Sequence, residues 1–258
     1  MVNTNNTKFT FNKKSFALSL ACVSMLATAG NAYHVTGATD GTASSITVTS
    51  STSVVIAADK ADKNNTNKDL TIKWASGQSG TVMLNKGANG LGSLTLGDST
   101  QGILGDVTLN ESLSKLIFGG TIAKSVKVNA NIGTIGAADK DITVSGGTTG
   151  INIADKVTVD KILGKDFTVS GSASIKGIEN SGTIGNIAFT GKTGISGSGT
   201  IGISNTSTGT INGITFGGKV EANKDGILIN NEGTITGGIA CAGTFHVGAI
   251  AGRLQFLT

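Results

Sequence analysis

The chain contains no proline, two cysteines, one tryptophan, one tyrosine and, among its 20 basic residues, a single arginine, Arg253. Without proline, neither a collagen triple helix nor a proline-rich spacer is available. Charged residues make up 14% and apolar residues 38%, a balance that excludes a disordered acidic or basic tail. The near-absence of arginine removes the side chain best suited to bidentate contacts with phosphates and bases, which excludes nucleic acid as a partner. Histidine is scarce as well. His34 and His246 are the two in the chain, and no His/Cys cluster has the spacing of a metal site.

The first 32 residues read as a targeting segment. Lys8, Lys13 and Lys14 precede an apolar run from Phe16 to Thr28, and Ala29-Gly30-Asn31-Ala32 supplies small residues for cleavage. The reading is a signal peptide over 1–32 with Tyr33 as the mature N-terminus, too short in its apolar run for a membrane-spanning helix, which needs ~20 residues. Ser19-Leu20-Ala21 before Cys22 is a poor match to a lipoprotein signal. Removing the leader leaves 17 basic groups (20 − 3) against 16 acidic ones, so the high isoelectric point belongs to the leader. Cys241 then stands alone, which excludes an internal disulfide framework.

What the chain has in abundance is glycine (39 residues, about twice the usual ~7%) and short apolar–x–apolar alternations. Examples are Leu70/Ile72/Trp74, Leu94/Leu96, Val107/Leu109, Ile151/Ile153, Ile187/Phe189 and Ile214/Phe216. Period-2 alternation separated by turn formers such as Gly146-Gly147 and Gly217-Gly218 predicts many short strands with one buried face. Past the leader there is no convincing helical spacing. The stretch Gly182–Lys192 recurs as Gly209–Lys219, offset by 27 residues, and Gly-Thr-Ile appears again at 120–122, 133–135, 199–201 and 233–235. A period of roughly 20–50 residues marks a stacked repeat. The fold class is therefore all-β, a parallel β-helix (β-solenoid) in which Ile184 stacks on Ile211 and Phe189 on Phe216. Its span is 33–239, followed by a C-terminal cap or truncated tail over 240–258. The polar run Asp59–Asp69 reads as a protruding loop or the polar edge of a cap.

Candidate chemistry is thin. Gly197-Ser-Gly199-Thr-Ile-Gly202 matches a dinucleotide fingerprint literally but has no helix after it, so turn glycines are the better reading. Gly191-Lys192-Thr193 resembles the end of a phosphate loop, yet Asn186 stands where the first glycine is required. The strongest enzymatic option is a pair of groove carboxylates for glycoside hydrolysis, with Asp139 and Asp141 as the candidate pair. Ala-Asp-Lys recurs at 58–60, 61–63, 138–140 and 154–156, which favours a repeated turn. No catalytic, cofactor-binding or metal-binding residue is assigned.

The leader, Ile178-Glu-Asn-Ser-Gly-Thr-Ile184 and Ile229-Asn-Asn-Glu-Gly-Thr-Ile-Thr-Gly-Gly-Ile239 together resemble autotransporter passenger domains of Gram-negative bacteria. The resemblance is clearest over about residues 115–240. It implies a right-handed parallel β-helix and export to the cell surface or beyond. It also implies an adhesive or self-associating role, with a host-cell or matrix surface or another copy as partner. Such passengers end in a membrane β-barrel, which this sequence lacks. The implied alternatives are display by a separate outer-membrane translocator, a stop in the periplasm, or a fragment of a longer passenger. The competing function is a polysaccharide-active β-helix enzyme.

Overall fold

A computed structural model describes residues 33–36, 39–42, 45–49, 51, 53–58, 69–85, 92–171, 174–222, 226–242 and 250–252. The leader over 1–32, His246 and the run 59–68 lie outside the described residues. The described chain is all β, with no helix, and forms a solenoid of parallel sheets.

Two sheets run the length of the coil. The first contains ten strands, among them Tyr33–Thr36, Val54–Ala58, Val107–Leu109, Lys176–Asn180 and Ile250–Gly252. The second contains twelve, among them Ser45–Val48, Asp69–Trp74, Thr158–Gly164, Thr183–Phe189 and Ile214–Phe216. A third sheet of four strands, Ile142–Val144, Phe167–Ser170, Thr193–Ser196 and Val220–Ala222, exists only in the C-terminal half. Upstream of it, single bridges from Ile103 to Ile122 and from Ile122 to Val144 mark the same side. The coil therefore begins two-sided and becomes three-sided.

Strand follows strand in parallel except at the start, where Tyr33–Thr36 and Thr39–Thr42 pair antiparallel with Val54–Ala58 and Ser45–Val48. These reversed strands occupy an edge that a parallel rung would otherwise present as unpaired N–H and C=O groups. At the other end the parallel ladder crosses residue 240. Ile239–Cys241 pairs with Ile214–Phe216, and Ile250–Gly252 with Ile229–Asn231.

The core consists of columns of side chains in register. In the first sheet Val54, Val82, Val107, Val126, Ile151, Ile178, Ile203 and Ile229 lie one above another. In the second, Ile132, Val159, Ile184, Ile211 and Ile235 do the same, and all are buried. β-Branched residues suit such columns because they hold one rotamer on a pleated surface, and each buried aliphatic contributes ~1.5–3 kcal/mol. The expected stacking of Ile184 on Ile211 and Phe189 on Phe216 is observed.

Aromatic rings form the widest part of this core. Phe189 lies 4.5 Å from Phe167, nearly parallel to it, and 6.2 Å from Phe216. Phe167 comes from a different sheet. The residue in register with Phe189 one rung earlier is Gly164, where a Cβ would sit 2.9 Å from the Phe189 ring. Phe167, three residues further along, supplies the ring for that rung instead. Glycine also makes room across the coil: a Cβ at Gly150 would meet Val144, at Gly177 Val169, and at Gly202 Ile195, each at 2.8 Å or less. The third sheet thus packs its branched residues against bare backbone of the first.

Gly-Thr-Ile does not mark a single place in the coil. At 182–184, 209–211 and 233–235 it forms one corner, between the first and second sheets, and shares one register. At 133–135 it lies inside the strand Ile132–Gly136, while 120–122 and 199–201 sit at other corners. The offset between rungs is accordingly uneven. Ile132 to Val159 is 27 residues, Val159 to Ile184 is 25, and Ile211 to Ile235 is 24.

Candidate functional site

Polar side chains in this coil fall into two populations, those bonded from rung to rung and those left free. The deepest bonded set is a buried asparagine ladder. The apolar column Ile56, Leu84, Leu109, Val128, Ile153 continues as Asn180, Asn205 and Asn231. Asn180 and Asn205 are fully buried and Asn231 nearly so. Asn180 Nδ2 donates to Asn205 Oδ1 at 2.8 Å, and Asn205 Nδ2 to Asn231 Oδ1 at 2.7 Å. Asn205 Nδ2 also reaches the carbonyls of Gly209 and Thr234, at 3.1 and 3.2 Å. Where the ladder meets Ile153, Asn180 Oδ1 accepts from the Gly182 amide at 3.2 Å instead. This explains the recurring Asn…Gly-Thr-Ile corner. A Cβ at Gly209 would lie 2.2 Å from Asn205 Oδ1, and one at Gly182 or Gly233 would strike backbone carbonyls at 2.2 Å.

A second, half-buried ladder lies on the same corner upstream. Asn110 Nδ2 donates to Asn85 Oδ1 at 3.1 Å, and Asn129 Nδ2 to Asn110 Oδ1 at 2.8 Å. On the outer face of the first sheet Glu179 accepts from Asn152 at 3.1 Å and pairs with Lys176. In the third sheet Thr193 and Val220 are in register, which places Lys192 and Lys219 one above the other. Glu221 lies between these like charges, 2.7 Å from Lys192 Nζ and 2.6 Å from Lys219 Nζ. The two ammonium donors, Lys192 first, hold its carboxyl down at about 2 and raise Lys192.

A folded-state pKa depressed from 4.5 makes a contribution that is complete above 4.5 and disappears as the pH falls to about 2. The excess stability of wild type over Glu221→Gln, followed by urea unfolding, is therefore expected to be small and salt-sensitive at neutral pH and to vanish toward pH 2. An excess that grew on acidification would contradict the ion triplet.

Sequence candidates for chemistry become structural parts. Gly197 and Gly199 both have positive φ (115° and 69°) at the corner leading into the strand Ile201–Asn205, so the dinucleotide-like string is a turn. Lys192 of the phosphate-loop-like triplet is paired with Glu221, and the hydroxyl of Thr193 is buried without a hydrogen-bond partner. Ala138-Asp139-Lys140 and Ala154-Asp155-Lys156 are turns, the latter with Lys156 at φ 64°. Asp139 and Asp141 border a hollow of about 320 Å³ with Lys140, Lys165 and Thr121. Asp141 Oδ1 accepts from the Asp166 amide at 3.3 Å, and Asp166 Oδ1 from the Lys192 amide at 2.8 Å, so two of these corner carboxylates bind backbone. His34 lies in the antiparallel strand Tyr33–Thr36. Among the described residues no group of three or more His, Cys, Asp or Glu is gathered as for a metal.

Two surface features escaped sequence reasoning. One is a column of threonines on the outer face of the second sheet: Thr158, Thr183, Thr210 and Thr234 follow one another in register, three of them exposed. The signal was the Thr before each buried Val or Ile of the repeat. The other is an open groove of about 690 Å³ on that same sheet, bordered by Asp160, Lys161, Asn186, Asn212 and glycine backbone. It arises where Asn212-Gly213 and Thr236-Gly237-Gly238 interrupt their strands. Its cause is the stacking of glycines from separate rungs, which no local pattern displays.

These features define a β-solenoid with a ladder-bonded interior and a polar, periodic exterior. Compared with known proteins, the chain matches no family model, no curated protein and no solved structure.

Proposed function

We propose that this protein is an exported, non-enzymatic β-solenoid whose function is contact, either adhesion to a host-cell or matrix surface or association with its own copies, as in an autotransporter passenger. The observation that carries the reading is the threonine column. Strand stacking sets its hydroxyls at roughly 4.8 Å intervals on a rigid rod. A linear array of identical, weak hydrogen-bonding groups gains affinity by multiplicity, because each contact made raises the effective concentration of the next. The leader over 1–32 and the Asn-Gly-Thr-Ile rungs support export and a surface setting.

Replacing Thr158, Thr183, Thr210 and Thr234 together by valine keeps shape and strand preference while removing the hydroxyls. Purified wild-type protein is expected to be retained on cell or matrix layers, or to self-associate in sedimentation runs, and the fourfold variant to lose this far more steeply than any single replacement. Equal behaviour of wild type and the fourfold variant, or no retention and no association of the wild type, would sink the reading.

A further inference from the structure

We infer that the groove on the second sheet is a binding site for a neutral oligosaccharide. This deepens the contact reading by giving it a ligand class. Registers place Asp160, Gly185 and Asn212 in one outward column and Lys161, Asn186 and Gly213 in the next. The groove's floor is thus backbone and its walls are polar side chains from three rungs.

Those side chains are uncommitted. Elsewhere on the coil, polar groups bond from rung to rung, as in Asn85–Asn110–Asn129 and Lys192–Glu221–Lys219. Around the groove Asp160, Lys161 and Asn186 make no hydrogen bond or ion pair with any described residue. The Asn212 side chain receives one long bond, from the Thr236 hydroxyl at 3.4 Å. All four are exposed. Two amides offer donors and acceptors, the carboxylate accepts, the ammonium donates, and the charges cancel. The complement of that set is a neutral ligand dense in groups that both donate and accept, which is a run of sugar hydroxyls. A groove of about 690 Å³ lies within the ~300–1,000 Å³ range of ligand sites.

Competing ligands fit less well. An extended peptide adds to a sheet edge, whereas this is a sheet face whose backbone groups are already paired between rungs. A phosphate or sulfate ester would meet one lysine beside an aspartate. Cleavage of the bound glycan by the usual route calls for two carboxylates ~5–10 Å apart, and the lining contains one, Asp160. The site therefore suits binding without hydrolysis.

Glycine supplies the test. A Cβ at Gly213 would meet no backbone within 4 Å, and the Asn186 Oδ1 at 2.7 Å is the end of a movable side chain. Gly194, on the third sheet, has nothing nearer than a lysine carbon at 4.0 Å. Gly213→Gln fills the groove, and Gly194→Gln is the matched control outside it. Full-length protein would be titrated by calorimetry with neutral hexasaccharides of glucose, mannose and N-acetylglucosamine, and with a sulfated glucan and a lysine-free peptide for contrast. The expected result is saturable binding of at least one neutral hexasaccharide, weakened about tenfold or more by Gly213→Gln and unchanged by Gly194→Gln. The Asn186→Ala/Asn212→Ala pair, which leaves the backbone alone, should weaken it comparably.

Absence of saturable binding, equal binding by both glutamine variants, or preference for the sulfated glucan or the peptide overturns the assignment. Cell or matrix retention measured alongside separates the two readings. Retention without hexasaccharide binding removes the groove proposal alone, and hexasaccharide binding without retention or self-association removes the contact reading alone.

Discussion

Asn205→Asp is expected to yield a protein that loses stability as the pH rises, the reverse of the Glu221 contribution. In the wild type the Asn205 amide accepts from Asn180 and donates to Asn231 Oδ1 and to the carbonyls of Gly209 and Thr234. A carboxylate in that fully buried position keeps the bond from Asn180 but turns a lone pair toward three acceptors. Burial and acceptor repulsion both disfavour the charged form, so the folded-state pKa of the introduced group lies above its unfolded value of ~3.9. An acid with a raised folded pKa binds more protons in the native state, and stability then falls from the unfolded pKa up to the folded one. Below pH ~4 the protonated side chain still donates once, and the deficit is about 1–3 kcal/mol. At neutral pH it reaches roughly 3–5 kcal/mol, the cost of a broken buried polar network. Urea midpoints of variant and wild type across pH 3–8 measure it. A difference that is flat with pH, or a variant as stable as wild type at neutral pH, would mean that the ladder is not the closed network described.

Why this ladder was not legible beforehand is instructive. Its members precede Gly-Thr-Ile at unequal distances: two residues at Asn180 and Asn231, four at Asn205, where Thr206–Thr208 widen the corner. An exposed turn is also the ordinary place for asparagine beside glycine. Burial here follows from stacking, since an amide that bonds the rungs above and below has its donors and acceptors satisfied in the same direction as the backbone ladder. The parts read correctly from sequence were those repeated with identity, such as Ile184 on Ile211 and Phe189 on Phe216. What stayed hidden involves residues from different strands substituting for each other: Phe167 over Gly164, and Val144, Val169 and Ile195 against Gly150, Gly177 and Gly202. A third sheet that begins only at Ile142 shifts the rung offset, which is why a constant period of 27 holds for some rungs and not for their neighbours. The groove belongs to the same class, being built from glycines that meet only after the coil has closed.

Phe189→Ala is the second large effect, and it tests how rungs depend on one another. The ring is 1% exposed, stacks on Phe167, contacts Phe216 and covers the bare backbone of Gly164. Its removal leaves a cavity that neither glycine nor a β-branched neighbour can close, at a cost of about 3–5 kcal/mol. Phe189→Leu retains much of the volume and is expected to lose less than half as much. In a solenoid each rung contacts its neighbours alone, so stability is approximately a sum of local and nearest-neighbour contributions. The sole tryptophan, Trp74, lies several rungs away, buried, its indole N–H bonded to the Gly80 carbonyl at 2.8 Å. Its fluorescence therefore reports the N-terminal rungs, while far-ultraviolet dichroism reports all of them. For Phe189→Ala the dichroism transition is expected to broaden and move to lower denaturant, with the Trp74 transition held near its wild-type midpoint. A loss below ~1 kcal/mol would remove the aromatic stack from the core's principal contributors. Movement of both signals together by the full amount would show that the coil unfolds as one cooperative body, with no nearest-neighbour boundary between Trp74 and Phe189.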